Sequence, residues 1–209
     1  MREIEPLDPD KPEVIWQIGA FDGYDNVGKM VNNYPNWSFH LFEPMPDAFG
    51  VLQRNHKNRH NVHLYNVAVT DTYDTKVDFY IPAILNDPDK TWAPQVCGLT
   101  PDIVDFHELE PRKIQVDAVH FKDLRILTKS VPTFFKTDTE GNEHRFVTIV
   151  KTYRPKVYMF EVKYMEEKAR NEHRCKLELW GYVMAFTNNI DDVWFRSTQL
   201  LNNLTVPTL

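Results

Sequence analysis

The sequence predicts an α/β fold: a mostly parallel central sheet with helices on both faces and an antiparallel hairpin at its carboxyl end. Three observations lead there. Short apolar runs alternate along the chain with segments of helical periodicity. The runs are continuous rather than alternating, the pattern of strands buried on both faces of a parallel sheet. The last two are separated only by Thr187-Asn188-Asn189-Ile190-Asp191-Asp192, too short for a parallel crossover but long enough for a hairpin.

Residues 1–12 carry Pro6, Pro9 and Pro12 and read as an extended lead-in to one domain spanning 13–209. Val14 to Ile18 is the first strand. Tyr24, Val27, Val31 and Tyr34 then form a helical stripe that Pro35 stops. Trp37 to Phe42 is the second strand, and Pro46 opens a helix with Ala48, Phe49 and Leu52 on one face. Val62 to Val69 reads as one strand and Lys76 to Ile81 as the next. Residues 82–111 hold five prolines and no periodicity, so they read as an inserted loop with a functional role. Ile114 to Val119 is extended and Phe121 to Leu127 a short helix. Thr133 to Thr137 is a strand, followed by a helix starting near Asn142 with Phe146, Ile149, Val150 and Tyr153 on its apolar face. Val157 to Val162 is a strand, and a charged helix runs from Tyr164 to Trp180 with Gly181 as its terminator. Tyr182 to Phe186 and Val193 to Arg196 complete the hairpin.

At 209 residues, 42% hydrophobic and 26% charged, the chain has the composition of one globular domain. Its 13% aromatic content suits an aromatic-lined pocket, although core packing accounts for most such excess. A formal charge of −6 argues against a nucleic-acid partner, which clustered Lys and Arg would hold. Cys97 and Cys175 cannot build a disulfide framework, and the polar start shows no signal-peptide core. No run reaches the ~18 apolar residues of a membrane span. The chain is therefore expected to be cytoplasmic; nothing in the sequence fixes its oligomeric state.

Ligands of open parallel sheets bind beyond the carboxyl ends of the strands. At the end of the first strand lies Gln17-Ile18-Gly19-Ala20-Phe21-Asp22-Gly23, where Gly19 and Gly23 allow a sharp turn and close approach to a ligand. The second strand ends in Phe42-Glu43-Pro44, with Glu43 twenty residues past Gly23. A carboxylate there can accept both hydrogen bonds of a ribose diol, as in other nucleoside-binding α/β domains.

In this order the landmarks resemble the FkbM family of methyltransferases, from Val14 to about Arg196. The glycine turn at 17–23 is one. The others are Phe42-Glu43-Pro44-Met45-Pro46, then Asn66-Val67-Ala68-Val69-Thr70-Asp71, then Lys136-Thr137-Asp138-Thr139-Glu140-Gly141-Asn142-Glu143, and finally Glu161 with Gly181-Tyr182. The resemblance implies a Rossmann-like class I methyltransferase fold and S-adenosyl-L-methionine as cofactor. It also implies cofactor contacts from Gln17, Gly19, Ala20, Asp22, Gly23, Glu43, Pro44, Met45, Ala68 and Val69. Two positions depart from the family pattern. Gln17 replaces an Asp that would help hold the methionine ammonium, and Asp22 replaces an Asn, its charge compensating near the sulfonium.

The resemblance further implies transfer to a hydroxyl of a small molecule or sugar. Such a reaction needs alignment of the acceptor and a group to take its proton. Asp138 is the first candidate for that group and Glu140 the second; strand alternation puts Lys136 on their side, to stabilise a forming alkoxide or to pair with a carboxylate. A purely structural role for Asp138 and Glu140, holding the loop and capping the following helix, fits equally. Glu161 and Trp92 are candidate acceptor contacts, with Cys97 and His107 as further ones in the 82–111 loop. His56 and His60 have helical metal-ligand spacing but read as a solvated helix end, His144 and His173 as ordinary helix residues, and no metal is expected. Three other readings stand beside the leading one. They are ribose 2′-O-methylation of nucleic acid, a non-catalytic S-adenosylmethionine-binding module, and a nucleotide-dependent oxidoreductase. The last lacks its Gly-x-Gly-x-x-Gly spacing here.

Overall fold

A computed structural model describes residues 4–85 and 88–198. Residues 1–3 of the lead-in, 86–87 of the inserted segment and 199–209 of the predicted domain lie outside the described residues. Seven strands form the main sheet in the order β3-β2-β1-β7-β8-β10-β9. They are β1 (Val14–Ile18), β2 (Ser38–Phe42), β3 (Val62–Tyr65), β7 (Phe134–Thr137), β8 (Val157–Glu161), β9 (Tyr182–Thr187) and β10 (Asp191–Arg196). The first five run parallel, and β10 pairs antiparallel with both β8 and β9, so the hairpin lies where the sequence places it. From the lead-in, Ile4 bridges to Ser197 just past β10.

Strand alternation divides the core into two layers. Trp16 and Ile18 of β1, Phe135 of β7 and Tyr158 and Phe160 of β8 face one side. They pack there against Ile149 and Val150 of α5 (Val147–Tyr153) and Leu177 of α6 (Glu167–Leu179). Ile15, Phe134, Val157 and Met159 face the other side, against Val27 and Val31 of α1 (Asn26–Asn33) and Leu52 of α2 (Pro46–His56). Each large side chain buried this way contributes about 2–3 kcal/mol. Among the described residues no helix is long and apolar enough to cross a membrane.

Three expectations are corrected. The run from Val62 to Val69 is two strands, β3 in the main sheet and β4 (Ala68–Thr70) in a second sheet of order β4-β6-β5 with β5 (Lys76–Pro82) and β6 (Pro111–His120). Asn66 makes the break: its side-chain amide donates to the Glu43 and Pro44 carbonyls at 2.8 and 3.1 Å, bending the chain across the end of β2. The 82–111 segment is not structureless. It holds a 3-10 turn at Ala93–Gln95 and α3 (Asp102–Phe106), and Gly98 bridges to Tyr80 of β5; α4 (Leu124–Thr128) follows β6. Finally, His56 is buried rather than solvated, and His173 is buried as well. His56 packs at the Gly23 turn, while His173 stacks on Phe160 at 4.3 Å with neither ring nitrogen hydrogen-bonded, and burial depresses its basicity to a pKa of about 3.

Candidate active site

The carboxyl ends of β1, β2 and β7 lie side by side and open onto a cavity of about 380 Å³. Its walls are the turn after β1, Glu43 and Pro44 after β2, Ala68 and Val69 of β4, and Asp138 to Glu140 after β7. Gln95, Cys97, Gly98 and Leu99 of the inserted segment close it. Burial, then the Glu43 and Glu140 carboxylates, push the Cys97 thiol well above its ordinary range, which disfavours the thiolate.

Glu43 is 3% exposed. Its two oxygens accept the backbone N–H groups of Phe21 and Met45, each at 2.8 Å, which aims the carboxyl into the turn and leaves one lone pair per oxygen for a ligand. Burial pushes its pKa up to about 7 against the pull of those two bonds.

A second anchor lies behind the cavity wall. Lys136, 3% exposed, donates to Asp25 at 2.5 Å and to Asp138 at 2.9 Å. Burial disfavours the ammonium, but the two carboxylates outweigh it and keep Lys136 charged. Asp25 caps α1 through Gly28 N–H at 3.0 Å and also accepts the Gln17 amide at 2.7 Å. Burial opposes its charge too, yet Lys136 and these hydrogen bonds hold its carboxyl below the usual range.

The loop after β7 is held by Glu143, which is fully buried. Its Oε1 accepts Thr139 N–H at 2.6 Å and the Thr139 hydroxyl at 2.8 Å, and its Oε2 accepts Gly141 N–H at 3.0 Å. That clamp sets Glu140 beside Asp138, and Glu161 reaches the same point from the end of β8. One carboxylate oxygen from each of Asp138, Glu140 and Glu161 lies within 4.8 Å of the others. Burial, then the neighbouring acids, push both Glu140 and Glu161 well above the usual carboxylate range.

The cavity thus carries five carboxyl side chains, Asp22, Asp25, Glu43, Asp138 and Glu140, and among its described lining residues no Lys, Arg or His. The profile of the family described as "Methyltransferase FkbM domain" matches residues 17–185. The chain belongs to the FkbM methyltransferase family. No curated protein has a significantly matching sequence. Among solved structures the chain is similar to the Methanococcus jannaschii fibrillarin pre-rRNA processing protein, with TM-score 0.52 and 12% identity over 94% of this chain and 71% of that one. It is also similar to precorrin-6y C5,15-methyltransferase from Geobacter metallireducens, with TM-score 0.51 and 13% identity over 90% of this chain and 81% of that one. An rRNA methylase from Streptococcus thermophilus gives TM-score 0.50 and 9% identity over 90% and 89%. Identities this low establish the shared class I methyltransferase fold and nothing finer.

The FkbM landmarks do not all reach the cavity in the manner expected. Gln17, Ala20, Asp22, Pro44, Ala68 and Val69 line it. Gly19 lines it as well, but its lack of a side chain serves the protein: a Cβ there would sit 1.7 Å from the Asp138 carbonyl oxygen. Gly23 is off the wall, and a Cβ would strike His56 and Leu52 of α2, so helix packing requires that glycine. Met45 contributes its N–H to Glu43 while its side chain is buried beside Phe79 and Val116. Lys136 lies behind the wall, where pairing with two carboxylates takes up its charge. Trp92 is not among the residues lining the cavity and packs on His107, which in turn hydrogen-bonds Tyr164 at 2.9 Å. Holding the loop falls to Glu143, not to Asp138 or Glu140. Asp25 and Glu143 were given no role by sequence reasoning. The signal for Asp25 was an N-cap residue at the head of the first helical stripe; for Glu143 it was the last acid of the 136–143 run.

Proposed function

We propose that this FkbM methyltransferase moves the methyl group of S-adenosylmethionine to a hydroxyl of a small molecule or sugar. The observation that carries the cofactor reading is that every charged side chain among the described lining residues of the cavity is acidic. S-adenosylmethionine brings a sulfonium and an ammonium, and carboxylates favour both. A dinucleotide would bring a pyrophosphate, for which no cationic side chain lines the described wall. The residues therefore fit the group. Ala68 and Val69 offer an apolar ledge for a base, and the free lone pairs of Glu43 suit a ribose diol. Asp25 supplies near the turn the negative charge that Gln17 lacks, and the Gln17 amide holds that carboxylate in place.

When bound, the cofactor supplies a methyl group already activated by its sulfonium. The chain must then orient the acceptor oxygen and draw off its proton. Asp138 and Glu140 stand on the cavity wall for that task, and Lys136 fixes the Asp138 carboxylate from behind. The acidic wall disfavours a polyanionic acceptor, which sets a small neutral hydroxyl compound above RNA. The test uses cofactor with a tritium-labelled methyl, offered with a panel of sugars and small alcohols and, separately, with total RNA. Label in an O-methyl ether of a small molecule is expected; label entering RNA alone would contradict the reading.

A further inference from the structure

We propose that Asp138, Glu140 and Glu161 form a binding site for one divalent cation of the oxygen-preferring class, such as Mg²⁺ or Mn²⁺, at the acceptor end of the cavity. The inference rests on the methyl-transfer reading of the same cavity and adds to it a metal and a class of acceptor.

The geometry comes from the fold. β7 and β8 are parallel neighbours, with Thr137 opposite Phe160, so the residues that follow these positions emerge at the same edge. Asp138 and Glu140 come from the first strand end and Glu161 from the second. Their three oxygens lie within 4.8 Å of one another. Oxygens bound to one ion at about 2.1 Å for Mg²⁺, or about 2.3–2.6 Å for Ca²⁺, are themselves separated by at most about 4–5 Å. Small side-chain adjustments therefore close the three carboxylates on a single ion.

An independent observation points to a missing partner. Glu161 is 7% exposed, and its Oε2 is buried with no hydrogen-bond partner. A buried carboxylate oxygen left this way is costly, and such groups are ordinarily satisfied by a donor or a metal. The protein's own cations do not fill the role. Lys136 is shared between Asp25 and Asp138, and Lys163, which lies over the Tyr164 ring at 4.4 Å, attracts Glu140 and Glu161 without pairing with either. Among the described residues neither Glu140 nor Glu161 forms an ion pair.

Three carboxylate ligands leave a six-coordinate ion with open positions, two of them available to acceptor oxygens on the cavity side. The acceptor favoured is therefore one with neighbouring hydroxyls, as on a sugar ring, chelated so that one oxygen is presented for methylation.

The experiment titrates the full-length chain with Mn²⁺, followed by the loss of the free-ion paramagnetic signal, with S-adenosylhomocysteine affinity measured by calorimetry on the same samples. One Mn²⁺ per chain is expected, with a rise in melting temperature that Glu161→Gln abolishes. Both Glu161→Gln and Glu140→Gln should weaken Mn²⁺ binding at least about tenfold, and Glu161→Gln should leave S-adenosylhomocysteine affinity unchanged. No Mn²⁺ binding by the wild-type chain, or equal binding by both variants, overturns the cation site. S-adenosylhomocysteine binding in that same sample would then leave the methyl-transfer reading intact. Mn²⁺ binding without S-adenosylhomocysteine binding would instead keep the cation site and remove the methyl-transfer reading.

Discussion

Gly19→Ala is expected to lower the melting temperature by roughly 6–12 °C and to weaken S-adenosylhomocysteine binding at least about tenfold. Two costs add. Gly19 has φ of +79°, a conformation that alanine adopts at a penalty of about 1 kcal/mol. The larger cost is steric, because the new Cβ would lie 1.7 Å from the Asp138 carbonyl oxygen, and backbone cannot rotate aside as a side chain can. The chain ends after β1 and β7 are joined there by Asp138 N–H donating to Ile18 C=O at 3.0 Å. Relief of the clash must pull the two ends apart, for a total of roughly 3 kcal/mol. The same movement carries Asp138 away from the turn, so the cofactor wall and the acceptor wall lose their spacing. Thermal melts and calorimetry read both effects; wild-type values in both would show that the contact between the strand ends is unimportant.

Asp138→Asn is expected to reduce turnover by about 10²–10⁴-fold while S-adenosylhomocysteine affinity changes by less than about threefold. The amide has the shape of the carboxylate but cannot accept a proton, and it withdraws one of the two anions that flank Lys136. Asp25 remains, so the lysine keeps a partner and the fold keeps this anchor. Glu43 keeps its two backbone hydrogen bonds, and the backbone contact of Asp138 with the turn after β1 does not depend on its side chain. Steady-state methyl transfer with saturating cofactor measures the first quantity. Turnover equal to wild type would remove Asp138 from the chemistry and leave it a purely structural acid.

Much of this arrangement was legible in the sequence because it depends on local pattern. β1, β7 and β8 are short apolar runs buried on both faces, and no helical stripe competes with that reading. Glu43 was visible as an acid closing an apolar run, and the 136–143 segment as a dense set of acids at a strand end. What escaped is tertiary. The run from Val62 to Val69 gives no periodic sign that Asn66 hands the chain from one sheet to another, since its two hydrogen bonds go to residues more than twenty positions away. At five residues, α3 is too short for a helical stripe to show. The role of Gln17 became clear only with Asp25 and Lys136 beside it, contacts that cross from β1 to α1 and β7. Trp92 is an acceptor candidate by residue type alone, since no pattern in a proline-rich loop encodes which way an indole turns. His173 reads as an ordinary residue of a charged helix, yet it occupies the face that meets Tyr158 and Phe160.

The central claim is that the acidic cavity at the ends of β1, β2 and β7 accepts a sulfonium nucleoside and not an anionic dinucleotide. Calorimetric titration of the wild-type chain with S-adenosylhomocysteine and, in parallel, with NADH tests it most directly. The account predicts saturable one-to-one binding of S-adenosylhomocysteine and no heat of binding for NADH. Saturable binding of NADH with none of S-adenosylhomocysteine would contradict it.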